Sequence, residues 1–108
     1  MTTTTRNYSP GVGQIIIELD SLDASTKSII MPAVCKVAEQ LFQEGQTLIV
    51  LDLRNVNFLD SSGLGSLIGF QRTLKGRGQE LLIINPTRPV RALFNLMRMD
   101  RVFTIVME

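Results

Sequence analysis

The chain has 108 residues, 44% of them hydrophobic and 19% charged, the composition of one globular domain with its own core. Eleven lysines and arginines against ten acids leave a net charge of +1, which does not suggest the concentrated basic face of a duplex-DNA binder. With no histidine and one cysteine, Cys35, the chain cannot build a Ser-His-Asp or Cys-His nucleophile system, the usual zinc sites or an internal disulfide.

Residues 1–13 are polar, with Pro10, Gly11 and Gly13, and predict a flexible start or a frayed edge strand. Met1 to Pro10 lacks the apolar core of a secretory signal, and no window approaches the ~20 apolar residues of a membrane span. A cytosolic, reducing setting is therefore expected. Ile15 to Leu19 is β-branched and apolar, the mark of a strand. Asp20, Ser21, Asp23 and Ser25 supply turn and cap chemistry ahead of a helical pattern in which Ile30, Val34, Val37, Ala38 and Leu41 share one face. Pro32 predicts that this helix begins near Met31 or bends there, and Gly45 is a plausible terminator.

Thr47 to Leu53 is a nearly continuous apolar run, the pattern of a parallel strand buried on both faces. Val56 to Leu59 extends the apolar signal to Asp60. From Ser62 to about Lys75 the period becomes 3.6, with Leu64, Leu67, Ile68 and Leu74 on one side, until Gly76 and Gly78 end it. Glu80 to Ile84 reads as another buried strand. Pro89 suits the first turn of a helix striped by Val90, Leu93, Phe94 and Met97, and Val102 to Met107 closes as a strand. This alternation predicts an α/β domain around a largely parallel sheet.

The informative segment is Asn57 to Gly69, NFLDSSGLGSLIG, where a buried strand meets a helix. Asp60 or Ser61 can cap that helix, and Gly63 can ease a tight turn. Capping alone rarely needs Asp, Ser, Ser and Gly in succession. Three glycines, Gly63, Gly65 and Gly69, also cost up to about 1 kcal/mol each relative to alanine in a helix, which points to close packing or to a partner approaching the backbone. The same glycines spell a loose dinucleotide fingerprint, but the following strand ends at Asn85 where that fingerprint wants an acid.

The stretch DLRNVNFLDSSGLGSLIGFQRTLKGRG resembles the signature of the STAS domain of anti-sigma factor antagonists, which carry Asp-Ser-Ser/Thr-Gly-Leu-Gly at this strand-to-helix junction. Leu22-Asp23 followed by Ser/Thr is similar to the family's early Leu-Asp motif, and VRALFNLMRMDRVFTIV looks like its last helix and strand. Asp20-Ser21 stands where the family usually has Gly-Glu. The resemblance implies a single STAS domain over residues 14–108, with a mixed, largely parallel sheet of four to five strands and three to four helices.

It also implies a non-enzymatic regulator without cofactor or metal. Ser61 is the position of the family's phospho-acceptor, and Asp23 and Asp60 lie on the partner-facing surface. Ser62, Gly63 and Leu64 make backbone-level contacts at the docking point. The implied partners are an anti-sigma factor serine kinase, bound when Ser61 is unphosphorylated so that a sigma factor is freed, and a PP2C-type serine phosphatase that reverses the modification. No direct nucleic acid or membrane contact is implied, and a homodimer through an exposed strand edge stays open. Two other readings remain: a STAS scaffold in another regulatory or transport-associated complex, and a small nucleotide-binding domain. Asp23 could equally be the N-cap of the first helix. Arg88, Arg91, Arg98 and Arg101 read as a solvated face, Met31, Met97 and Met99 as core filler, and Cys35 as a quiet half-buried thiol.

Overall fold

A computed structural model of the chain describes residues 3–106. Strand β1 (Thr3–Ser9) turns through Gly11, whose φ of 84° places it in the left-handed region, and runs antiparallel beside β2 (Val12–Ile17). The short β3 (Ser21–Leu22) leads into α1 (Lys27–Gln43), followed by β4 (Leu48–Asp52), β5 (Phe58–Leu59) and α2 (Ser61–Gly76). Then come β6 (Glu80–Ile84), α3 (Arg88–Leu96), a 3-10 turn (Met99–Arg101) and β7 (Thr104–Val106). The main sheet has the order β1-β2-β4-β6-β7, in which β2, β4, β6 and β7 are parallel. Separately, β3 and β5 form a two-stranded parallel ribbon.

The period of two along each strand divides the sheet into two faces. Ile15 and Ile17, Ile49 and Leu51, and Leu81 and Ile83 join the main core together with Leu64, Leu67, Phe70 and Leu74 of α2 and Val90 and Phe94 of α3. On the other face Ile16, Val50 and Ile84 are also buried, which explains why β4 and β6 read as continuous apolar runs.

Several expectations are corrected in detail. The first helix does not begin near Met31: it starts at Lys27, and Pro32 lies inside it. The proline is exposed. The last strand is confined to Thr104–Val106 because Val102 and Phe103 close the preceding turn onto the Met99 carbonyl; Met107 lies outside the described residues. Met97 is not core filler, since it is 47% exposed, whereas Met31 and Met99 pack against the core. Residues 3–9 form an edge strand.

Candidate functional site

The β3–β5 ribbon assembles the site. Its register pairs Ser21 with Phe58 and Leu22 with Leu59, so the next residue of each strand, Asp23 and Asp60, emerges at the same end. The ribbon is pinned below by Asp20, whose carbonyl accepts from the Asn57 and Phe58 N–H groups and whose carboxylate accepts from the Asn57 side chain at 2.8 Å.

Of the two caps the sequence allowed, Asp60 is the one used. It has extended backbone geometry, its carbonyl accepts the Leu64 N–H at 2.9 Å, and its Oδ1 accepts the Gly63 N–H at 2.8 Å. Its Oδ2 reaches across the ribbon to the Ala24 N–H at 3.4 Å, and its own N–H donates to the Leu22 carbonyl at 3.4 Å. One carboxylate thus joins the start of α2 to the Asp23 loop.

Ser61 follows as the first residue of α2. It is exposed, and its hydroxyl has no hydrogen-bond partner among the described residues. By helix geometry the N–H groups of Ser61 and Ser62 have no carbonyl one turn back, so a positive helix end lies beside the hydroxyl. Ser62 is half-buried, while Leu64 is in the core and anchors the first turn. The hydroxyl of Ser66 donates to the Gly63 carbonyl at 2.6 Å.

The three glycines of α2 separate by function. A Cβ on Gly63 would stand 2.1 Å from the Leu22 carbonyl oxygen, so this glycine exists to let the helix start rest on β3, not to ease a turn. Gly65 and Gly69 face open space and have no packing reason to be glycine.

Asp23 organises the other half. Its Oδ1 accepts from the Ser25 hydroxyl at 2.6 Å, the Ser25 N–H at 2.9 Å and the Thr26 N–H at 3.1 Å, while its own N–H donates to Thr26 Oγ1 at 2.9 Å. This reciprocal pair closes the turn ahead of α1, whose N-cap is Thr26, and the Asp23 carbonyl accepts the Lys27 N–H at 2.9 Å. The Ser25 hydroxyl above all holds the carboxyl below its ordinary value of 3.8; burial, next in size, opposes it, and the two N–H groups and the Thr26 hydroxyl add smaller lowering effects. Asp23 and Asp60 therefore lie together beside Ser61, and of the two only Asp60 caps a helix, since the N-cap of α1 is Thr26.

Sequence reasoning passed over Asp52, the polar letter in an otherwise apolar run. It is fully buried at the end of β4, on the sheet face away from the main core. Gln14 Nε2 donates to it at 3.0 Å, Arg54 through Nε at 2.8 Å and through its terminal nitrogen, and Asn85 Nδ2 at 3.4 Å. This cluster fixes the first residues of the segment that leads from β4 to Phe58, Asp60 and Ser61. Among the described residues no group of acidic, Cys or His side chains is placed to hold a metal ion, and no helix is long and apolar enough to cross a membrane.

A mixed sheet with a strand-to-helix Asp-Ser-Ser-Gly junction defines the class, and comparison with known proteins agrees: the STAS domain model matches residues 10–108, and the chain belongs to the STAS domain family. Over 59 residues it is 32% identical to an anti-sigma F factor antagonist of Lysinibacillus sphaericus, a match covering 55% of this chain and 50% of that protein. An anti-sigma-B factor antagonist of Staphylococcus aureus (strain NCTC 8325 / PS 47) is 30% identical over 66 residues, 61% of each chain. The matches thus span about half to three-fifths of these curated relatives. In fold, the anti-sigma factor antagonist SpoIIAA in its unphosphorylated form superposes with a TM-score of 0.70 at 22% identity, over 98% of this chain and 89% of that one.

Proposed function

We propose that this STAS domain is an anti-sigma factor antagonist switched by phosphorylation at Ser61. Unphosphorylated, it binds an anti-sigma factor serine kinase through the surface formed by Asp23, Asp60, Ser62, Gly63 and Leu64, and the kinase releases its sigma factor. Phosphoryl transfer from ATP to Ser61 Oγ, catalysed by the kinase, ends the binding, and a PP2C-type serine phosphatase removes the phosphate by hydrolysis. The observation that carries this reading is an exposed, unbonded serine hydroxyl as the first residue of a helix whose cap is already supplied by the preceding aspartate.

The physics of the switch follows from that placement. A phosphate adds about −1.5 to −2 charges at pH 7. On Ser61 it meets the free N–H groups and positive dipole end of α2, so the fold tolerates it. A partner seated on the same surface meets added bulk, a charge beside Asp60 and Asp23, and a group that is costly to desolvate.

The test is intact-protein mass spectrometry after incubation with ATP and candidate anti-sigma kinases of the source genome. Wild type is expected to gain one phosphate and Ser61→Ala none. Folded wild type that gains no phosphate from any kinase would instead support a STAS interaction module without the switch.

A further inference from the structure

The arginines around the last helix lie outside the Ser61 reading. Between Asn85 and Val106 the chain carries Arg88, Arg91, Arg98 and Arg101 against a single acid, Asp100. All four are exposed, and the one ion pair that any of them makes among the described residues is Arg98 with Asp100, long at 3.9 Å. Solvation alone would account for such a face if its neighbours were polar. They are not: Leu96 is 78% exposed, Met97 47% and Val102 38%.

Helical spacing orders these groups. Val90 and Phe94 turn into the core, which places Pro89, Ala92 and Leu96 along one outward edge of α3, beside the row begun by Arg88 and Arg91. After Met97 the chain enters the left-handed region at Arg98, with φ of 56°, where glycine would sit without strain and an arginine is held instead. The result is a helix face that joins unpaired guanidinium groups to exposed leucine and methionine. Arginine and methionine are enriched where one protein grips another, and guanidinium forks bind carboxylates in bidentate fashion.

We propose that the outward face of α3 and its following turn, built from Arg88, Arg91, Leu96, Met97, Arg98 and Arg101, docks an acidic amphipathic segment of a partner protein. Charge complementarity selects the acid, and Leu96 and Met97 select an apolar edge beside it. Nucleic acid is the poorer occupant because exposed leucine and methionine add nothing to phosphate binding and the chain is nearly neutral. A lipid surface is poorer because the nine-residue α3 already buries its broad apolar side in the core. The proposal stands independently of phosphorylation at Ser61.

It is tested by amide chemical shifts of the full-length protein titrated with a synthetic helical peptide bearing glutamates and leucines on one face. A lysine-for-glutamate peptide, a leucine-free glutamate peptide and phosphatidylglycerol vesicles serve as comparisons. Saturable shifts confined to residues 88–102 are expected with the first peptide, at least about tenfold weaker for Arg88→Glu/Arg91→Glu and several-fold weaker for Leu96→Ser, with Ser61→Asp unchanged. Spectral dispersion reports whether each variant is folded, and Arg98→Glu/Arg101→Glu replaces the helix variant if that one is not. No saturable shift, equal binding of the leucine-free peptide, or preference for the lysine peptide or the vesicles would overturn the proposal.

Discussion

Gly63 and Gly65 are two residues apart on one helix and are glycine for opposite reasons. The first lies against the Leu22 carbonyl, so Gly63→Ala forces the helix start away from β3 and is expected to destabilise by about 1–3 kcal/mol in urea denaturation. The second and its neighbour one turn on, Gly69, meet nothing, so Gly65→Ala and Gly69→Ala are expected to stabilise by about 0.5–1 kcal/mol each. If the proposed partner approaches this bare helix backbone, those two stabilising variants weaken its binding. Asp60→Ala removes the cap of α2 and the tie to Ala24 together, with an expected loss of about 1–2 kcal/mol in the same measurement. Asp23 adds a pH signature. Its carboxyl is depressed in the folded chain, so its stabilising contribution is present above the ordinary 3.8 and is lost as pH falls through the lower folded value. Between ~pH 5 and ~pH 2 the urea midpoint of wild type is therefore expected to fall more steeply than that of Asp23→Asn.

At the scale of elements, what was legible in the sequence was whatever burial alone decides. Glu80–Ile84 is the strand its letters predicted, and α2 differs from its predicted span by one residue at either end, because a continuous apolar run and a 3.6 period each leave one solution. The β3–β5 ribbon was not legible as a pair. Two residues per strand carry no period, and their partnership depends on the long path through α1 and β4. Pro32 left the start of α1 open between Met31 and a point upstream, and the hydrogen-bonded turn of Asp23, Ser25 and Thr26 sets it upstream at Lys27. The candidate site was legible as a list: Asp60, Ser61, Ser62 and Gly63 stand together on their own letters. That Asp23 joins them through Ala24 and Asp60 required the ribbon. Asp52 was hidden because its donors come from β2, from the segment after β4 and from Asn85, which no local pattern connects. Asp52→Ala leaves Gln14 buried without its acceptor, and a loss of about 3 kcal/mol is expected from thermal or urea unfolding.

Across the whole molecule the parallel sheet serves as a platform whose C-terminal edge carries the Asp23–Asp60–Ser61 cluster, the side of an open α/β sheet where ligands and partners usually meet the fold. The fold itself does not choose among functions, since one scaffold hosts many. What favours the proposed switch is the division of labour at one helix end, with Asp60 holding the structure and the Ser61 hydroxyl left free. Phosphorylated protein should accordingly keep the circular dichroism spectrum and the cooperative unfolding of the unmodified chain, while losing its partner.

The most direct test is calorimetric titration of the kinase with the unmodified and the Ser61-phosphorylated chain, both shown to be folded. Binding weakened at least about tenfold by the phosphate is the expected result. Equal affinity of the two forms, or loss of binding because the phosphorylated chain had unfolded, would contradict a switch that works at the surface of an intact domain.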